Sequence, residues 1–131
     1  MLVALTGATG FLGYHTVRTL HAAGHRVRVL ARRTSRRDHI EPYVAEWVFG
    51  DFYDPQAQAG LVAGAECVIH AAVDYHASDH IPVQNFDRNV AGTLKLLEAA
   101  RLAGAEQFIF VSSGAAYAEI LPDRKLDEKH P

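Results

Sequence analysis

Apolar positions along this chain form short runs that alternate with longer, helically spaced stretches. Leu2–Leu5 is a compact apolar run stopped by Thr6-Gly7, which predicts a short buried strand. From Leu12 onward, Gly13, Val17 and Leu20 recur at i, i+4, i+7 on one helical face, and Gly24 provides a left-handed C-terminal stop. The valine-rich alternation of Arg26–Ala31 predicts a second strand, and "RRTSRR" follows as a loop or a poor helix. "AEWVFGD" predicts a third strand ending at Gly50. Asp54-Pro55 then starts a helix, with an N-cap acid and proline at the first helical position, and Gly64 closes it. "CVIHAA" predicts a fourth strand. Phe86, Val90, Leu94, Leu97 and Ala100 form an apolar helical stripe ending at Gly104, and "QFIFVSS" predicts a fifth strand.

Strands thus alternate with helical segments on a period of roughly 20 to 35 residues, the signature of right-handed crossovers and a parallel sheet covered on both faces. The fold class expected is α/β, a doubly wound parallel sheet of the Rossmann type in strand order 3-2-1-4-5. The 131 residues correspond to one domain. A hydrophobic share of 49% allows a real core. Net charge is −2, so no global basic field points to nucleic acid or an anionic membrane. The single cysteine, Cys67, lies in an apolar run and reads as a small buried hydrophobe. No apolar segment approaches the roughly 18 residues of a membrane span, and the N-terminus lacks the basic region of a signal peptide. A cytoplasmic location is expected.

The stretch "TGATGFLG" places Gly7, Gly10 and Gly13 between the first strand and the first helix. Small backbone at Gly7 and Gly10 lets a diphosphate reach exposed N–H groups and the positive end of the helix dipole. Gly13 lies on the sheet-facing side, where an absent side chain lets helix and strand pack closely. A nucleotide-triphosphate loop is excluded, because no Gly-Lys-Ser/Thr follows.

"TGATGFLG", "GDFYDP", "VIHAA", "NVAGTLKLLEAA" and "FIFVSSGAAY" occur in this order over nearly the whole chain. Together they resemble the extended short-chain dehydrogenase/reductase family, the NAD-dependent epimerases, dehydratases and reductases. The resemblance puts Gly7, Gly10, Phe11 and Leu12 around a cofactor pyrophosphate, with Gly13 completing the motif. It makes Asp51 and Phe52 the pair that contacts adenine, although Asp51 also suits a turn or helix cap. Ala71 and Ala72 are similar to the small residues lining the nucleotide groove, a smallness that core packing explains equally. Asn89 resembles the family's asparagine of the fourth helix; it also reads as a polar residue on a helix flank.

In NAD users of this fold, an acid at the end of the second strand accepts hydrogen bonds from the ribose hydroxyls. Here that place holds Ala31, followed by Arg32 and Arg33. A guanidinium binds a 2′-phosphate in a forked geometry, so NADP is the expected cofactor, with NAD the alternative. A solvated basic loop is the competing reading.

Ser112 and Ser113 end the fifth strand, on the sheet edge where ligands bind in open α/β folds. By resemblance Ser112 joins the cofactor contacts, and Ser113 is the catalytic hydroxyl that polarises a substrate carbonyl or hydroxyl. The family's acid–base pair is a tyrosine with a lysine four residues on, whose charge lowers the phenol's pKa. Tyr14, Tyr43, Tyr53, Tyr75 and Tyr117 all lack such a lysine. Residues 1–131 are therefore expected to be the dinucleotide-binding domain of a longer enzyme, with the Tyr-x-x-x-Lys and a substrate domain beyond Pro131.

Asp74, His76 and His80 in "VDYHASDH" are not expected to bind metal, since no glutamate accompanies the histidines and nothing marks the stretch as helical. His70 reads as a satisfied core polar group. The parent protein is expected to transfer hydride on a nucleotide sugar or a related hydroxy or carbonyl compound. A non-catalytic dinucleotide sensor of the same fold is the alternative. The expected partners are dinucleotide and small-molecule substrate, without nucleic acid or membrane, with a homodimer as an option. A chain cut at Pro131 is also expected to leave the outer edge of the fifth strand and neighbouring apolar surface uncovered, which favours self-association.

Overall fold

The computed structural model describes residues 1–75, 82–113 and 116. Strands β1 (Leu2–Thr6), β2 (Arg26–Ala31), β3 (Glu46–Phe49), β4 (Cys67–His70) and β5 (Gln107–Phe110) form one sheet in order β3-β2-β1-β4-β5. All four pairings are parallel. The architecture is the doubly wound one, in the 3-2-1-4-5 order that the alternation predicts.

Central β1 is buried from Val3 to Thr6 because helices cover both of its faces. Its pleat sends Leu5 to one side, beside Val29 and Ile69 in register, and Ala4 to the other, beside Val68. The Leu5 side is closed by α1 (Phe11–Ala22), through Val17, and by Ile40 next to a single 3-10 turn at Glu41–Tyr43. The Ala4 side is closed by α2 (Pro55–Val62) and α4 (Gly92–Leu102), through Leu61, Leu96 and Ala100.

Local chemistry sets the helix ends. Asp54 accepts a hydrogen bond from the Gln56 N–H at 3.0 Å, and Pro55 occupies the first helical position of α2. Arg28, in the middle of β2, answers the other end of that helix. Its guanidinium donates to the carbonyls of Leu61 and Ala63 and pairs with Glu46 at 2.6 Å. A strand arginine thus satisfies orphan C-terminal carbonyls and places positive charge at the negative end of the dipole.

The last helix departs from its sequence pattern. α3 (Pro82–Asn85) runs through a π-helical segment, Phe86–Ala91, into α4, with right-handed helical angles at both joints. The apolar stripe is not the buried face: Phe86, Val90, Leu94 and Leu97 are exposed, and of the stripe only Ala100 is buried. Gly92, Leu96 and Ala100 form the inward face of α4. Upstream, the inward positions are polar, at Asn85, Arg88 and Asn89. The inward positions keep spacings of one, three or four residues from Asn85 through Arg88, Asn89, Gly92 and Leu96 to Ala100. The face towards the sheet is thus set by small and polar residues around Leu96, and the more apolar stripe lies outside it. β5 forms one edge of the sheet, with Ile109 and Phe110 exposed. Among the described residues no helix is long and apolar enough to cross a membrane.

Candidate functional site: a cleft at the carboxyl edge of the sheet

The three motif glycines answer to different constraints. Gly7 sits at φ +77°, and a Cβ there would lie 2.6 Å from the carbonyl carbon of Ala71. At Gly13, on the inner face of α1, a Cβ would lie 2.1 Å from the Gly7 oxygen. The fold itself therefore needs both. Gly10 differs: its φ of −85° and ψ of 176° suit any residue, and the nearest contact of an added Cβ is the Gly7 oxygen at 3.4 Å. Gly10 is also the N-cap of α1, whose first turn has no side-chain cap and no acidic residue. The first N–H groups of a helix have no intrahelical partner, and they carry its positive pole.

A cleft of about 270 Å³ opens beside this turn, over the carboxyl ends of β1 to β4. It brings together Gly7, Gly10, Arg32, Asp51, Phe52, Ala71 and Ala72, all singled out in the sequence. Thr9, Ser35, Tyr53 and Val73–Tyr75 line it as well and were not expected as cofactor contacts. Each is a near neighbour of a predicted residue; Ser35 comes in because its N–H bonds the Arg32 carbonyl at 3.0 Å, closing a turn.

Other expected residues stand outside the cleft wall. Phe11 and Leu12 are exposed on the first turn of α1, and Gly13 is buried behind it. Arg33 lies over the Phe49 ring, 5.1 Å from its centroid, and Arg37 packs on the same ring at 4.8 Å. Ser112 and Ser113 are exposed just beyond β5, and the Ala116 N–H bonds the Ser113 carbonyl at 3.0 Å. His76, His80 and Tyr117 lie outside the described residues.

Asn89 reaches the cleft indirectly. Its side-chain oxygen accepts from the Asp74 N–H at 2.7 Å, and its amide nitrogen donates to the Asp74 carbonyl at 3.0 Å. Arg88 pairs with the Asp74 carboxylate at 2.9 Å and lies over the Tyr53 ring. Burial, followed by the nearby Asp51 carboxylate, raises the Tyr53 pKa against the opposing pull of Arg88. Tyr53 thus remains a neutral phenol at ordinary pH.

His70 ends β4 at 1% exposure, against Phe52 and with Thr6 and Thr93 on its two nitrogens. Burial lowers its pKa from 6.5 to about 4, because a cation there would lose its water.

Residues 3–131 match the NAD dependent epimerase/dehydratase family. The chain is 46% identical over 116 residues to a ceramide reductase of Caulobacter vibrioides, covering 88% of this chain and 35% of that protein. It is 32% identical to a UDP-glucose 4-epimerase of Klebsiella pneumoniae, covering 91% of this chain and 94% of that sequence. In structure it is similar to the Thermus thermophilus UDP-glucose 4-epimerase in complex with NAD, at a TM-score of 0.85 and 33% identity, over 100% of this chain and 44% of that one. The chain spans about a third of the length of the first curated relatives it matches. It belongs to the NAD dependent epimerase/dehydratase family.

The glycine geometry separates binding from stability. Gly10→Val should melt within about 1 kcal/mol of the wild type yet lose dinucleotide binding, whereas Gly13→Val should destabilise the fold by about 3 kcal/mol or more. Urea unfolding and NADPH fluorescence titration read the two effects; normal binding by Gly10→Val would make the loop only a turn.

A second expectation follows from His70. Its folded pKa lies below the unfolded value, so its contribution to stability is whole above pH 6.5 and is lost as pH falls towards about 4. Between about pH 7 and 4.5 the wild type should lose roughly 2–3 kcal/mol more than His70→Phe. Equal losses in urea titrations would show that His70 does not titrate in this window.

Proposed function

We propose that this chain is the dinucleotide-binding part of an NADP-linked epimerase, dehydratase or reductase acting on a nucleotide sugar or a related hydroxy or carbonyl compound. The observation that carries the reading is Gly10. Neither its backbone angles nor its neighbours require glycine, yet it lines the cleft at the open N-terminus of α1. Its missing side chain leaves room for a ligand against the helix pole, and a diphosphate is the anion that such a pole suits.

A bound nicotinamide dinucleotide supplies the hydride donor or acceptor. The residues of the chain bind and orient it. The first N–H groups of α1 hold the diphosphate. Asp51 and Phe52 take the adenine end, with Phe52 only 8% exposed at the cleft floor. Ala71 and Ala72 keep the groove wall low. Arg32 faces the cleft beyond β2, where an NAD user carries an acid, and holds the 2′-phosphate with Ser35 beside it. Arg33, over Phe49, steadies the loop.

Ser113 stands further along the carboxyl edge and donates a hydrogen bond to the substrate oxygen. A tyrosine–lysine pair and a substrate domain, carried by chain beyond Pro131, supply proton transfer and specificity. The short span of the relatives covered, and the lack of a lysine four residues after any tyrosine here, support that division. Among the three reaction types, the 46% identity to a ceramide reductase supports the reductase.

The outward stripe Phe86, Val90, Leu94 and Leu97 serves as the contact between two copies of the protein. Spacings of four, four and three residues make a continuous apolar seam beside the polar inward face.

Three measurements test these readings. Arg32→Ala should weaken NADPH binding by about 2 kcal/mol and leave NADH nearly unchanged, while Arg33→Ala has the smaller effect. Equal loss for both cofactors, or wild-type preference for NADH, would remove the NADP assignment. Residues 1–131 should bind NADPH but not oxidise it with any of a panel of carbonyl substrates, and the full-length protein should turn over. Comparable rates would overturn the proposed division of labour. Light scattering should show a dimer that Leu94→Glu converts to monomer; an unchanged mass would contradict the seam.

A further inference from the structure

Thr6 ends β1 directly ahead of the glycine turn, and its hydroxyl oxygen has three polar neighbours. The N–H groups of Ala71 and Ala72 both donate to Thr6 Oγ1, each at 3.2 Å. His70 Nδ1 lies 2.6 Å away on the third side. A hydroxyl offers two lone pairs and one hydrogen. Both lone pairs face backbone N–H groups, so the hydrogen goes to Nδ1, and that nitrogen carries no proton. In the neutral ring the proton then sits on Nε2, which faces Thr93 Oγ1 at 2.9 Å. Thr93 accepts it and donates its own hydrogen to the Asn89 carbonyl at 2.6 Å. Asn89 completes the path by bracketing the Asp74 backbone on both its N–H and its carbonyl.

The direction of each bond is fixed by the next, because backbone groups at both ends cannot exchange the roles of donor and acceptor. Ala71, Ala72 and Asp74 belong to one stretch, the wall of the cleft after β4. One end hangs from Thr6 and the other from Asn89. The imidazole of His70 spans the gap between the two hydroxyls.

The geometry points to His70 as a positioning residue for the dinucleotide: held as the Nε2–H tautomer, it joins Thr6 to Thr93 and fixes the Ala71–Asp74 wall against the glycine turn. This rests on the reading that the cleft takes a dinucleotide. The wall has little latitude, since Gly7 already approaches the Ala71 backbone with no side chain between them. Nor can water readily replace the ring, which is 1% exposed among Phe52, Phe108 and Phe110.

The test uses the 131-residue chain, labelled with ¹⁵N. Long-range ¹H–¹⁵N correlation should show His70 unprotonated at Nδ1 and protonated at Nε2; the opposite pattern overturns the assignment. His70→Phe keeps an aromatic ring in an aromatic cage but leaves the Thr6 hydrogen without its acceptor. In that variant the Ala71 and Ala72 amides should exchange about tenfold faster while those of β2 do not change, and the NADPH Kd should rise about tenfold. Thr6→Val should behave likewise, and Thr6→Ser, which keeps the hydroxyl, should match the wild type in both readings. Wild-type exchange and affinity in both His70→Phe and Thr6→Val would overturn the proposal. Should neither variant fold, the wild-type tautomer and Thr6→Ser still decide it. A wild-type chain that binds no NADPH overturns the dinucleotide reading, whereas tautomer and exchange, read without ligand, separately decide the network.

Discussion

Three pieces of backbone meet beside the cleft with no side chain between them: the turn at Gly7, the inner face of α1 at Gly13, and the end of β4 at Ala71–Ala72. Every other feature of the site depends on that contact. It draws the N-terminus of α1 over the carboxyl edge of the sheet, where Gly10 lines the cleft and the first N–H groups of the helix have no intrahelical partner. It also brings the Ala71 and Ala72 N–H groups within reach of the Thr6 hydroxyl. A single methyl group at Gly13, 2.1 Å from the Gly7 oxygen, would separate helix from strand and dissolve the arrangement. The packing constraint falls on Gly7 and Gly13, whereas nothing in the backbone or its neighbours requires glycine at Gly10, which lines the cleft.

The electrostatics follow the same economy. The uncapped pole of α1 and Arg32 bring positive potential to the cleft, while the Asp74 carboxylate in its wall is paired with Arg88. His70 stays uncharged because it is buried, so the region behind the wall adds no cation of its own. A cleft of this character suits an anionic ligand with a flat apolar end against Phe52. Membership in the NAD dependent epimerase/dehydratase family agrees with that character.

Most of the fold was legible because its determinants are local. β1, β2 and β4 are short apolar runs or alternations, and Gly24, Gly64 and Gly104 close helices at positive φ as their positions imply. Asp54-Pro55 caps α2 within its own turn. What escaped was non-local. Along Phe86–Leu97 the apolar stripe faces outward, because Gly92, Leu96 and Ala100, small apart from Leu96, are the residues that pack on the sheet. Arg33 was paired with Arg32 by adjacency, yet an aromatic ring on the neighbouring strand holds its guanidinium. The Thr6–His70–Thr93 path joins positions 64 and 23 residues apart, and no local spacing announces it. Of the cleft lining, the residues beside the glycines and at strand ends are legible from local sequence, whereas Ser35, brought in by a turn, is not.

On the proposed function, the Gly7–Gly13 turn brings a diphosphate against the first turn of α1. A crystal structure of the chain grown with NADPH tests it most directly. The account predicts diphosphate oxygens about 3 Å from the N–H groups at the start of α1, over Gly10, with the 2′-phosphate at Arg32. A dinucleotide bound elsewhere, or one whose diphosphate lies away from Gly10, would contradict it.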